Sequence, residues 1–250
     1  MRALIGISGV AGSGKDTTAN FFVSEFDFVS ISFADPLKRI CADVFDWDEN
    51  RLWGPSEERN KPDERYPRAI FVPSDQGEQF EADRFGVETE PEYRTEYLSA
   101  RYALQTLGTE WGRDCYENIW VEYGIRLAKR ILSSRGFIYT KMRGLQKREY
   151  YDTPDIQGVA IPDCRFKNEI KLMKNAGAIL IRIKRPGAGL SGSAGAHASE
   201  AEQLSIPDSE FDYVLENDGT IEDLKQKVIA IGEDLKLEKS KHKQMGFKWK

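Results

Sequence analysis

The stretch Gly9-Val10-Ala11-Gly12-Ser13-Gly14-Lys15-Asp16-Thr17-Thr18 follows directly on an apolar run, Ala3 to Ser8, and constrains the fold more than any other feature of the chain. An apolar run bounded by glycine predicts a buried strand, and Asp16 to Glu25 predicts a helix with Ala19, Phe22 and Val23 on one face. Between them, Gly9, Gly12 and Gly14 let backbone N–H groups converge on phosphate oxygens, while the following helix presents its positive end. Lys15 adds a mobile charge for the β and γ phosphates. In the standard pattern the lysine is followed at once by Ser or Thr, whose hydroxyl holds Mg²⁺; here Asp16 follows and Thr17 comes next. Asp16 has two readings: an acid that meets the helix dipole, or a metal-linked carboxylate that reaches Mg²⁺ directly or through water. In the second, the Thr17 hydroxyl serves a phosphate or the metal.

The rest of the chain alternates. Strands are expected at Phe28 to Phe33, Phe137 to Lys141, Gly158 to Pro162, Ala178 to Ile183 and Tyr213 to Glu216. Helices are expected at Leu37 to Phe45 behind Pro36, Tyr97 to Leu107 with a stop at Gly108, Asn118 to Leu132, Arg165 to Ala176 and Ile221 to Leu235. Strands alternating with helices imply an α/β fold with a parallel sheet covered on both faces. The segment Trp47 to Glu96 departs from this rhythm, being dense in charge, proline and glycine with a short strand candidate at Ala69 to Val72, and is expected to be an insertion on the core.

A chain of 250 residues fits one large domain or a core with an inserted subdomain. No apolar run is long enough to span a bilayer, and the amino terminus enters the glycine loop without a cleavage pattern, so a cytoplasmic protein is expected. The three cysteines, Cys41, Cys115 and Cys164, and two histidines, His197 and His242, form neither a zinc spacing nor a disulfide framework. A net charge of −5 gives no general affinity for nucleic acid or anionic membrane. Only the lysine-rich end, Lys236 to Lys250, departs from that balance, as a frayed soluble tail or a nucleic-acid contact.

Two further stretches carry candidate chemistry. In Gly158 to Glu169, a strand ending near Asp163 sets a carboxylate at the carboxyl edge of the sheet, where open α/β folds bind ligands. Arg165 and Glu169, four apart on the expected helix, share a face; they form either a surface ion pair or, for Arg165, a clamp on an acceptor phosphate. In Arg101 to Gly112, Arg101, Gln105 and Gly108 lie on one helical face with Thr109 at the turn, which suits a nucleotide pocket or a solvated face. Trp120 is a core residue or a base-stacking platform.

Taken together, "SGVAGSGKDTTA", "ALQTLGT", "IPDCRFKNE", "GAILIRIKRPG", "HASEA" and "ENDGTIEDL" resemble, in that order over nearly the whole chain, the deoxynucleoside monophosphate kinases of tailed bacteriophages. The Gly-Lys-Asp-Thr loop also occurs in phosphomevalonate kinases; the later blocks make the resemblance specific. It implies a P-loop nucleoside-kinase-like domain over residues 1–237 followed by a basic tail, and transfer of the γ phosphate of ATP, with Mg²⁺, to a deoxynucleoside monophosphate. It also implies a homodimer and, for a phage protein, action in the host cytoplasm. Carried over by motif, Gly12, Ser13, Gly14, Lys15, Asp16 and Thr17 would serve the ATP phosphates and metal. Arg101, Gln105, Gly108, Thr109 and Trp120 would form the monophosphate pocket, completed by Asp163, Arg165 and Glu169. The segment 185–199 matches the family's mobile loop over the phosphates, from which Arg185 would reach the transferring group. The competing expectations are a kinase of another phosphorylated acceptor, such as phosphomevalonate or dephospho-coenzyme A, and a non-catalytic nucleotide-dependent binding protein.

Overall fold

The computed structural model describes residues 2–72, 92–133, 136–142, 145–151, 156–189 and 198–240. Residues 73–91 of the expected insertion, 190–197 of the expected mobile loop, and the basic tail from 241 onward lie outside the described residues. In chain order the first elements are β1 (Ala3–Ser8), α1 (Lys15–Phe26), β2 (Phe28–Ser30), α2 (Asp35–Val44), α3 (Glu49–Trp53), α4 (Ser56–Asn60), β3 (Pro62–Val72), β4 (Glu92–Ser99) and α5 (Ala100–Thr106). A π-helical segment, Leu107–Arg113, continues α5; then come α6 (Ile119–Leu132), β5 (Gly136–Met142), β6 (Leu145–Tyr151), β7 (Gly158–Ile161) and α7 (Lys167–Asn175). The last are β8 (Ile179–Lys184), α8 (Ala198–Ser205), β9 (Tyr213–Glu216) and α9 (Ile221–Asp234).

The chain divides into two compact units, Met1–Phe33 with Tyr116–Lys250, and Ala34–Cys115. In the first, five strands form a parallel sheet in the order β2-β7-β1-β8-β9. Its central strands are near-continuous apolar runs because both faces are covered: all four residues of β7 and the middle four of β8 are buried. Ile5 and Ile7 of β1 and Ile181 and Ile183 of β8 pack with Phe22 and Phe26 of α1 and Val228 and Ile231 of α9. Alternation sends Gly6 and Leu180 to the opposite face, where a methyl on Gly6 would stand 3.0 Å from Met173 of α7. Gly232 in α9 permits the close approach of α1, since any side chain there would collide with the Phe26 ring. Full burial of a phenylalanine such as Phe22 or Phe26 contributes about 1.5–3 kcal/mol. Thr220 and Asp223 start α9 with a reciprocal capping box, at 2.7 and 3.2 Å.

The strand expected over Phe137 to Lys141 belongs to neither edge of this sheet. It pairs antiparallel with β6, from Gly136 opposite Tyr151 to Met142 opposite Leu145. The reason is visible in its partner: Lys147, Arg148 and Glu149 are too charged for a sheet covered on both faces.

The second unit pairs β3 and β4 antiparallel, and its core gathers Cys41, Ala42, Trp47, Leu52, Ala100 and Ala103. The Trp47 Nε1–H donates to Asp63 at 2.7 Å, and Arg65 grips the same carboxylate at 2.8 Å. That guanidinium, with the indole N–H, holds the Asp63 carboxyl well below the usual carboxylate range. The register of β3 slips between Asp63 and Pro67, a bulge that accommodates a proline in the strand. Two expectations are corrected here. Tyr97 to Ser99 continue β4 rather than opening a helix; Ser99 ends the strand and caps α5, accepting from the Tyr102 amide at 3.3 Å. Gly108 does not stop the helix. It is buried, with room for a methyl only 3.3 Å from Leu37, and the chain widens around it into the π-helical segment.

Candidate active site

The carboxyl ends of the parallel strands lie along one edge of the sheet, where the strand order reverses around β1. After β1, Gly12 and Gly14 adopt φ of 75° and 102°, left-handed conformations that side chains rarely tolerate. A methyl on Gly9 would lie 2.8 Å from the Ile183 carbonyl. The loop closes through Ser13 N–H to the Val10 carbonyl at 3.1 Å, and α1 begins with Thr18 N–H to Gly14 at 2.9 Å. Lys15 is buried, with Nζ 3.5 Å from the Val10 carbonyl. Asp16 is exposed in the first turn of α1, and Thr17 is half-buried.

Two hydroxyls test whether this loop fits a phosphate. Ser13 Oγ and Thr18 Oγ1 are fully buried and have no hydrogen-bond partner among the described residues. A buried hydroxyl left unpaired costs about 1–3 kcal/mol, so a cradle of backbone donors, a buried lysine and two such hydroxyls fits an anionic oxygen ligand. Thr18 was not singled out by the motif; its burial distinguishes it from Thr17. Among the described residues no group of three or more His, Cys, Asp or Glu could hold a metal. Asp16 and Thr17, beside the loop, carry oxygen atoms of the hard kind that Mg²⁺ prefers.

After β2 and β7, Asp163 accepts from Ser32 Oγ at 2.5 Å and from the Phe33 amide at 3.2 Å. Arg165 precedes α7 rather than lying on it, and no ion pair joins it to Glu169, which corrects the shared-face expectation. Glu169 is buried and turns back to the helix start, accepting from the Arg165 amide at 2.7 Å and the Phe166 amide at 3.1 Å. The Phe166 amide, at the cap, is one of the unsatisfied donors that every helix start carries. The Arg165 guanidinium is left exposed, without an ion pair among the described residues. After β8, Arg185 is exposed. Its neighbour but two, Arg182, is buried and donates to the Gln203 and Ile206 carbonyls at 2.8 and 2.6 Å, tying α8 to the sheet. Lys184 first, then Arg182, lower the Asp208 carboxyl below its ordinary range. Gln203 of α8 also donates to Ser8 Oγ at 3.0 Å. After β9, the Asn217 side chain donates to the Ser13 carbonyl at 2.8 Å. Ser32, Gln203 and Asn217 were not nominated from the sequence; "ENDG" was the signal for the last.

Trp120 is buried in α6 of this unit. Arg101, Gln105, Gly108 and Thr109 belong to the second unit. There Arg101 donates to Ser56 Oγ at 3.2 Å, Gln105 and Thr109 are exposed, and Gly108 is buried.

Comparison with known proteins extends these observations. The family model described as deoxynucleotide monophosphate kinase matches residues 61–228. A protein of Acanthamoeba polyphaga mimivirus, provisionally named deoxynucleotide monophosphate kinase, is 31% identical over 227 residues, covering 91% of this chain and 94% of its own. The deoxynucleotide monophosphate kinase of Escherichia phage RB69 is 24% identical over 91% of this chain and 98% of its own. That of Enterobacteria phage T4 is 25% identical over 90% and 96%. The family model takes in both the second unit's ribbon and the Asp163 to Glu169 stretch. This chain therefore belongs to the deoxynucleotide monophosphate kinase family and is a nucleotide kinase, a phosphotransferase.

Proposed function

We propose that this chain transfers the terminal phosphate of ATP to the phosphate of a deoxynucleoside monophosphate, giving the deoxynucleoside diphosphate and ADP. The observation that carries the reading is the glycine loop with its buried Lys15 and two buried hydroxyls, Ser13 and Thr18, that have no partner among the described residues. An oxygen of the acceptor phosphate forms the new bond to phosphorus as the bond to the ADP oxygen breaks, and ADP leaves with that electron pair. The acceptor oxygen is already anionic at neutral pH, so the work is positioning and neutralisation of charge.

In this reading Gly12, Ser13 and Gly14 hold the donor phosphates through the backbone, and Lys15 meets the charge on the transferring group. Asp16 and Thr17 would hold Mg²⁺, directly or through water, and the metal would supply further neutralisation of phosphate charge. Arg185 reaches the same group from the end of β8. Arg165 grips the acceptor phosphate, while Asp163 and Glu169 position the chain around it rather than move a proton. By the resemblance, Arg101, Gln105, Gly108 and Thr109 of the second unit, and Trp120 of the first, would each serve the acceptor nucleotide. The proposal includes a homodimer acting in the cytoplasm of an infected cell, whose mass in solution is checked by light scattering.

The test is a turnover panel: ADP release from ATP and Mg²⁺ with each of the four deoxynucleoside monophosphates, their ribose counterparts, phosphomevalonate and dephospho-coenzyme A. Turnover with deoxynucleoside monophosphates supports the proposal. Turnover confined to another acceptor overturns it, as does ATP binding without turnover on any acceptor.

A further inference from the structure

Asn217 stands just past β9, more than two hundred residues along the chain from the glycine loop, and is only 7% exposed. Its backbone N–H donates to the Lys184 carbonyl at 2.6 Å, so the residue is fixed to the end of β8 before its side chain reaches anything. The side-chain amide then donates to the Ser13 carbonyl at 2.8 Å, in a buried bond. A methyl on Gly14 would lie 2.6 Å from the same nitrogen. Asn217 and Gly14 therefore share one tight space, and glycine is demanded there twice, by that contact and by its φ of 102°.

The consequence follows from peptide geometry. In a trans peptide the carbonyl and the N–H point in opposite directions, and no cis bond occurs among the described residues. Pinning the Ser13 carbonyl toward Asn217 turns the Gly14 N–H away from β9. That N–H finds no acceptor among the described residues, whereas the Ser13 N–H donates to Val10. Glycine at this place would otherwise let the Ser13–Gly14 peptide rotate, since its backbone tolerates both signs of φ. Orientation of the donor thus depends on a contact from the far end of the fold.

We propose that Asn217 is a positioning residue for nucleotide binding: it latches the Ser13–Gly14 peptide so that the Gly14 N–H is presented to a phosphate oxygen of ATP. The proposal rests on the reading of the loop as the ATP phosphate site. Its effect is selective. The donor nucleotide feels the latch, and the acceptor monophosphate does not.

Asn217→Asp keeps the shape but turns the donor into a carboxylate that repels the Ser13 carbonyl; Asn217→Ala removes the amide without adding charge. Equilibrium ATP binding, KM for each substrate and a nucleotide-free thermal melt are measured on both variants beside the unaltered chain. The expected result is ATP affinity weakened at least about tenfold, the scale of one well-placed hydrogen bond. KM for the monophosphate is expected to stay within about twofold, well under that scale. ATP affinity equal to that of the unaltered chain in either folded variant overturns the latch, as does a parallel rise in both KM values with a lowered melt, which marks a structural role alone. Failure of both variants to fold also overturns it. If the unaltered chain binds no ATP, the reading of the loop falls and takes the latch with it; normal binding by the unaltered chain and both variants removes the latch alone.

Discussion

Asp163, past the end of β7, takes the Ser32 hydroxyl on one carboxylate oxygen at 2.5 Å and the Phe33 amide on the other at 3.2 Å. It thereby clasps the chain as it leaves β2, across a separation of 131 residues. A carboxylate bonded on both oxygens by the protein itself is suited to hold a loop, and the proposed transfer asks for no general base.

Asp163→Asn tests that assignment. The amide keeps one carbonyl oxygen for one of the two donors and sets an NH₂ group against the other, so kcat/KM for the acceptor is expected to fall about tenfold, close to 1.4 kcal/mol. The pH–rate profile between about pH 6 and 9 should keep its shape, because no proton passes through this group. Loss of one limb of the profile in the variant would instead make Asp163 a proton acceptor.

Lys15→Met retains most of the buried stem and removes the charge. Because the role assigned to Lys15 is to meet charge on the transferring phosphoryl group, kcat is expected to fall by on the order of 10²–10³. The melt should stay near that of the unaltered chain, since Met is of comparable volume. Steady-state kinetics and calorimetry check both halves; near-normal turnover would remove the loop from catalysis.

Asp63, in the second unit, yields a pH prediction. Its carboxyl is held low, first by the Arg65 hydrogen bond and then by the Trp47 indole. A depressed folded-state pKa means that the unfolded chain takes up the proton more readily, so the contribution to stability is complete above the unfolded value of about 3.9 and is lost as pH falls through the folded one. Asp63→Asn should therefore melt lower than the unaltered chain at pH 7, with the gap narrowing as the solution is taken well below about pH 4. Melting curves across that range decide; a gap independent of pH would mean that the charge contributes nothing.

The glycine loop was legible because its requirements are local: Gly12 and Gly14 have positive φ, and the apolar run of β1 needs no partner to be recognised as buried. The parallel strands were legible for the same reason. Ser32 and Gln203 were not, because their bonds to Asp163 and Ser8 span 131 and 195 residues and leave no local pattern; Asn217 lies within "ENDG", but its bond to Ser13 spans 204 residues, so the stretch does not show what it holds. Tyr97 and Leu98 suit a helix face and a strand equally; only pairing with Pro67 and Asp63 across the ribbon decides between them. Of the two readings of Arg165 and Glu169, the surface ion pair fails for an energetic reason. Spacing of four suggested a partner in Arg165, but an exposed guanidinium gains little from such a pair, whereas half-buried amides at a helix start lose more when left without an acceptor.

That geometry sharpens the last prediction, on Arg165. Because Glu169 is occupied by the Arg165 and Phe166 amides, the guanidinium is exposed and carries no ion pair among the described residues, so its side chain does little for the fold. Arg165→Lys keeps the charge and loses the planar two-point fork that matches a phosphate. The expected result is a fall of at least ~10-fold in kcat/KM for the deoxynucleoside monophosphate, about 1.4 kcal/mol of transition-state binding. ATP affinity should be unchanged, and stability altered by no more than about 0.5 kcal/mol, as for other exposed charges. Kinetics with each substrate varied in turn, beside a thermal melt, separate the outcomes. An unchanged acceptor kcat/KM would take Arg165 out of the site and leave the acceptor phosphate to another cation, with Arg185 at the end of β8 and Arg101 on α5 the next to be replaced.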